Sequence, residues 1–239
     1  MRILALDTAT ESCSAALLID GRSIARETEL ERGHSERILP MIDAVLAEAG
    51  VKLTGLDAIA FGRGPGSFTG VRLAASVTQG LAFGAGLGVV PISDLRAVAQ
   101  RAFELNATMS RTLVCNDARM GEVYWACYER GPDGLASAIG NERVGKPASV
   151  VLPASWSRAE GSASSVYAVG RGFVAHPELR SLVFGEPAGI YDRLLPRALE
   201  IATLAAPEVA KGRLGSPEAA IPVYLRDDVV RVAQPKSLN

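Results

Sequence analysis

The chain has 239 residues, 48% of them hydrophobic, enough to bury a sizeable core in one large or two small domains. Its formal net charge is −1 with Lys and Arg scattered, which excludes a broad basic footprint, so any RNA contact is expected to be shared with a partner. The longest nearly apolar run, Leu81 to Ile92, is too short and glycine-rich to span a bilayer, and MRILALD lacks signal-peptide architecture. A cytoplasmic protein is expected. Cys13, Cys115 and Cys127 lie far apart in strand-like runs and read as buried free thiols.

In chain order, RILALD (2–7), CSAALLI (13–19) and SIARETE (23–29) are β-rich runs joined by polar turns, which predicts a three-stranded meander. The period turns helical from Ser35 to Ala49, where Ile38, Ile42, Val45 and Ala49 form a stripe widened by Leu39 and Leu46, with Pro40 near the start. A strand at 57–62, a glycine turn, a helix at 68–84, a strand at 88–92 and a helix at 94–105 follow, the last capped by Ser93 or Asp94. The order βββαβαβα makes a mixed sheet with helices on its faces.

The turn FGRGPGSFTG has the look of a phosphate loop, since glycines feeding a helix start aim backbone N–H groups at an anion. Its spelling argues otherwise. No glycine from 62 to 70 has another five positions on, and no lysine occurs between Lys52 and Lys146, so a Walker loop is excluded. G-x-G-x-x-G fails at Ser67 and Thr69, and G-x-S-x-G fails because Pro65 and Thr69 flank Ser67. On a helix, Gly66, Gly70, Ala74, Thr78 and Ala82 recur every fourth residue. Such a small-residue row suits close packing either on the chain's own sheet or against a partner helix.

The pattern then restarts. TLVCND (112–117) and EVYWACY (122–128) repeat the opening hairpin, so that DTATESCSAALLID at Asp7 aligns with DARMGEVYWACYER at Asp117. Residues 130–165 give no clear period, VYAVG (166–170) reads as a strand, Asp192 to Ala206 as a helix, and SPEAAIPVYLRDD as a tail against the body. Two halves, 1–106 and 107–239, each opening with an acid-tipped hairpin, follow the plan of the actin-like and Hsp70-like ATPases. The expectation is an α/β (ribonuclease H-like) fold of two related subdomains with mixed sheets.

ILALDTAT, GPGSFTGVR, DARMGEVYWACY and PVYLR, in this order and at these distances, resemble the bacterial TsaB (YeaZ) family over nearly the whole chain. The resemblance implies a scaffold that performs no catalysis and pairs with TsaD. TsaD transfers a threonylcarbamoyl group to adenosine 37 of tRNAs reading codons that begin with A; TsaE, an ATPase, completes the assembly, and TsaC supplies threonylcarbamoyl-adenylate. It also implies that the first two helices pack against the partner as a bundle, through Ile38, Leu39, Ile42, Leu46, Gly70, Ala74 and Thr78, with a homodimer through the same helices as a further use. tRNA would be met through the complex, and ATP or ADP and metal would sit on the partner subunits, with no intrinsic cofactor here.

The catalytic relative carries H-x-E-x-H; this chain reads HSERI, with Ile38 at the second histidine, so His34 is expected to hydrogen-bond locally and His176 to serve the surface. The hairpin tips around Asp7, Thr8, Asp117 and Arg119 hold one glycine, Gly121, and are expected to be a vestige of a phosphate hairpin, with the two aspartates stabilising turns. A small sugar or acid kinase is the alternative. It calls for glycine-rich tips that are not present. A metallopeptidase calls for the ligand pair that Ile38 removes.

Overall fold

A computed structural model describes residues 1–156, 165–182 and 190–226. Of the segments singled out above, 157–164 and the end of the tail, 227–228, lie outside the described residues. β1 (Arg2–Asp7), β2 (Ser12–Ile19) and β3 (Arg22–Glu29) form the expected antiparallel meander, and β4 (Ala58–Gly62) and β5 (Gly88–Ile92) extend it in parallel on the other side of β1. β6 (Arg111–Asp117), β7 (Val123–Arg130), β8 (Ala136–Gly145), β9 (Tyr167–Val169) and β10 (Ile190–Tyr191) build the second sheet in the order β10-β9-β6-β7-β8. Outward from β1 or β6, both sheets run the same way: two antiparallel neighbours on one side and two parallel ones on the other. The equivalence of Asp7 and Asp117, each ending its central strand, is therefore structural.

α1 (His34–Ala49) and α2 (Phe68–Ala85) cover the outer face of the first sheet, where Ile38, Ile42, Val45 and Ala74 pack on Leu4, Leu6 and Phe61. α3 (Asp94–Leu105) lies on the second sheet, burying Leu95, Val98, Ala102 and Phe103 with Val114 and Tyr128. α5 (Ala198–Ala210) crosses in the other direction and lies on β1, β2 and β4, burying Ile201, Ala202 and Ala205 against Ile3, Ala5 and Ala60. Its opening amide, Ala198 N, donates to Ser14 Oγ of β2 at 2.9 Å. Each half thus lends one helix to the other, and α3 and α5 touch between the sheets.

Several elements differ from expectation. β8 falls in the stretch without period because it is a largely exposed edge strand with only Ala136 fully buried, so little selects alternation. α5 begins at Ala198, after Pro196, because a proline bars the residue before it from the helical region. α1 starts at His34, which leaves Pro40 inside the helix and the Glu36 carbonyl without its i+4 donor. In the second half the helix after β9, α4 (Gly172–Ala175), lasts one turn before Pro177, and 3₁₀ turns at 147–149 and 154–156 lie in the region where the first half carries α1.

The small-residue row resolves inward. Gly70, Ala74 and Thr78 are buried on the chain's own sheet, and a Cβ on Gly70 would collide with the Thr8 carbonyl. Ile38 and Ile42 are also buried, Leu46 is half-buried, and only Leu39 of the residues expected at a partner contact is exposed, at 48%. The expectation that the whole set meets a partner is corrected: a helix this close to its sheet needs small residues facing it. The surface of α2 that looks outward carries Phe68, Arg72, Ser76, Gly80, Phe83 and Gly84. Ala74→Arg would bury an unpaired charge, a cost of about 3–5 kcal/mol. It should lower the melting temperature by roughly 10 °C or more or yield insoluble protein. Gly80→Arg, where nothing lies within 4 Å of a Cβ, should melt within a few degrees of the parent; calorimetry on both variants checks this.

Candidate functional site

The two equivalent hairpin tips meet at a cleft of about 670 Å³ lined by Thr8–Glu11, the start of α1, the glycine turn, Asn116–Arg119 and the tail. Each tip is an Asx turn: Asp7 Oδ1 accepts from Ala9 N at 2.9 Å, and Asp117 Oδ1 from Arg119 N at 2.8 Å. The same local chemistry sits in different surroundings. Asp7 is fully buried, whereas the Asp117 side chain is partly exposed and pairs with the Arg119 guanidinium at 3.2 Å. Arg119, Met120 and Gly121 all adopt positive φ, which turns the second tip tightly.

The glycine turn wraps the first tip. Ser67 N donates to Ala9 O at 2.7 Å, Thr8 Oγ1 donates to Gly70 O at 2.7 Å, and Ser67 Oγ caps α2 by accepting from Gly70 N at 3.1 Å. A Cβ at Gly66 would stand 2.5 Å from the Ala9 carbonyl, so glycine is demanded by the hairpin and not by a phosphate. Several amides of the turn and tips are occupied: Gly64 N by Asp94, Ala9 N by Asp7, Ala118 N by Glu122 O at 2.9 Å and Glu122 N by Arg119 O at 3.0 Å. An anion cradle needs such groups free.

Beneath the turn lies a carboxyl pair whose two members are far apart along the chain. Asp94, the first residue of α3 after its cap Ser93, is fully buried beside Asp7, and both carboxyls crowd the Cα of Gly62, where a side chain would strike them. Asp94 Oδ2 accepts from Gly64 N, and Asp7 Oδ2 and Asp94 Oδ1 have no other partner within the chain. Burial pushes Asp7 up to about 6. It raises Asp94 well above the ordinary range, with the charge of Asp7 adding to the effect. The two neighbouring carboxyls therefore resist carrying two charges and hold a proton to higher pH than exposed ones would.

The tips are tied to each other by charge. Arg119 Nη2 reaches Glu11 at 3.1 Å across the cleft, and Arg171 reaches Glu29 at 2.5 Å and Glu11 at 3.8 Å. With the Arg119 side chain 75% exposed, its pair contributes at most about 1 kcal/mol. His34 Nε2 lies 2.9 Å from the Thr10 carbonyl, and His176 Nδ1 lies 3.5 Å from Glu178, half-buried. The three cysteines are free and buried. Glu11, Arg171 and Arg226 were not singled out in the sequence, and Asp94 only as a helix cap, because each acts on a residue distant along the chain.

A raised carboxyl pKa means that the folded state holds the proton more tightly than the unfolded chain. The contribution of the Asp7–Asp94 pair is then complete below about pH 4 and is lost as the pH rises through 6 and beyond. Asp94→Asn keeps a donor toward Asp7 but has no proton to lose. Denaturant midpoints of the parent should fall more steeply between pH 5 and pH 8.5 than those of the variant, by about 1–3 kcal/mol in stability. Parallel profiles would contradict the raised carboxyl pair.

Comparison with known proteins agrees with this architecture. The profile of the family described as "TsaD: tRNA N6-adenosine threonylcarbamoyltransferase" matches residues 27–233. The chain is 42% identical over 233 residues to "tRNA threonylcarbamoyladenosine biosynthesis protein TsaB" of Escherichia coli (strain K12), covering 96% of each chain. It is 40% identical over 240 residues to the protein of the same name from Haemophilus influenzae, covering 96% of this chain and 95% of that one. Among solved structures, "YeaZ from Pseudomonas aeruginosa" matches with a TM-score of 0.84 at 42% identity, over 94% of this chain and 99% of that one. With a shared sequence over nearly its full length and the same actin-like α/β fold, the chain belongs to the TsaB (YeaZ) family.

Proposed function

We propose that this chain works in tRNA threonylcarbamoyladenosine biosynthesis as a subunit that carries out no group transfer itself and supports its relative TsaD by docking it. The observation that carries the reading is that the amides of Gly64 and Ser67 in the glycine turn, and of Ala9, Ala118 and Arg119 at the hairpin tips, are taken up by the chain's own carbonyls and carboxylates. The kinase reading would need those groups for phosphate. In this reading ATP or ADP and metal belong to the partner subunits TsaD and TsaE, tRNA is met through the complex, and the assembly is cytoplasmic.

The docking surface we assign is the outward face of α1 and α2. Leu39, Phe68 and Phe83 are exposed there at 48%, 46% and 74%, and Gly80 and Gly84 leave open space beside Phe83. Apolar side chains next to small residues let a second helix approach closely. The same face would serve a homodimer when TsaD is absent.

Two measurements test this. A Gly80→Arg, Phe83→Ala variant should stay folded yet capture TsaD at least tenfold more weakly, a loss of about 1.4 kcal/mol or more. Undiminished capture would move the interface elsewhere. Separately, the isolated protein should release no meaningful phosphate from magnesium ATP. Turnover near one per second, about the low end of enzyme rates, abolished by Asp7→Ala, would overturn the non-catalytic reading.

A further inference from the structure

The tail crosses the mouth of the cleft and is fastened on both sides of it. On the first half, Val223 N donates to Arg63 O at 2.7 Å. The Val223 carbonyl lies over Gly64, where φ is +101° and a Cβ would stand 2.9 Å from that oxygen. One residue on, Tyr224 OH accepts from Arg72 Nε at 2.7 Å. The Arg72 guanidinium lies 3.4 Å from the Phe68 ring centre and 5.5 Å from that of Tyr224, so it contacts both of two rings whose centres are 5.9 Å apart. On the second half, Arg226 donates to the Ala118 carbonyl at 3.3 Å and pairs with Glu122, both at the second hairpin tip.

These fastenings are of the weak kind. Phe68 and Tyr224 are 46% and 44% exposed, and the Arg226 and Glu122 side chains keep a fifth to a quarter of their surface in solvent. Behind them Val223–Arg226 form part of the cleft wall, together with Thr8, Asn116 and Asp117. Asn116 is 5% exposed, and neither of its amide atoms has a partner within the chain. The geometry points to Val223–Arg226 being a releasable strap that closes the cleft between the two hairpin tips, seated on Gly64 and clasped by Arg72 and Glu122. When the strap lifts, the second tip loses its bond at Ala118 and the cleft opens to solvent on the side of Asn116. Gly64 is then a seat for the tail, a role distinct from the packing done by Gly66 and Gly70.

The test uses the full chain with one reporter thiol, Ala118→Cys, which is 5% exposed and lies beneath Arg226; the native cysteines are buried. Its labelling by a small aromatic disulfide reads opening of the strap. Adding Tyr224→Ala and Arg226→Ala should speed labelling at least tenfold while the melting temperature stays within a few degrees. A gentler variant, Glu122→Gln, releases one clasp and should give a smaller increase, which guards against misfolding of the double variant. Without any tail substitution, raising salt from 0.1 to 1 M screens the Arg226–Glu122 pair and should speed labelling. Unchanged labelling in the folded variants, or full-rate labelling with the tail intact, would overturn the strap.

Discussion

The molecule turns on two carboxyl groups that have no access to water. Asp7 and Asp94 come from the end of β1 and the start of α3, and burial would make a pair of charges there prohibitively costly. The site is tolerable because burial raises both carboxyls so that the pair resists carrying two charges, because Ala9 and Gly64 each present an amide, and because Gly62 has no side chain to push the carboxyls apart. Each condition fixes a neighbour. The first tip must curl back on Asp7, the glycine turn must pass directly over the pair, and α3 must enter where it can run on to the second sheet.

That constraint explains how an arrangement built like a phosphate site serves a different end. A hairpin with an acid at its tip and a glycine-rich turn leading into a helix are the parts from which nucleotide sites are made. Here the parts face each other, and the turn packs on the hairpin through Ser67, Gly66 and Gly70. What remains outside is a cleft walled by arginine–carboxylate pairs and the tail, and a helix face with exposed phenylalanines.

How much of this could be read from the sequence followed the physics of each element. The meander, α1, α2 and α3 were legible because a buried face imposes a period, and the Asp7–Asp117 correspondence because a repeated hairpin repeats its turn residue. β8 was not legible, since a largely exposed edge strand carries little pattern. The row Gly70, Ala74, Thr78 was legible as a close-packing surface but not in direction, because a tight sheet crossing and a tight helix partner ask for the same small residues. Asp94 read as a cap, a local role, while its pairing with Asp7 spans 87 positions and leaves no trace along the chain. PVYLR stood out only through resemblance; its seat on Gly64 exists in three dimensions alone.

The exchange of α3 and α5 between the halves bears on how the chain matures. The inner face of the first sheet, with Ile3, Ala5, Ala60 and Val90, has most of its cover in residues 198–210. During synthesis the first half can form its meander and seat α1 and α2, but an apolar surface stays bare until nearly the whole chain has left the ribosome. Contacts of such long sequence separation slow folding and leave intermediates prone to associate. A chain cut short before α5 would therefore be a sticky, incomplete particle and not a smaller working domain.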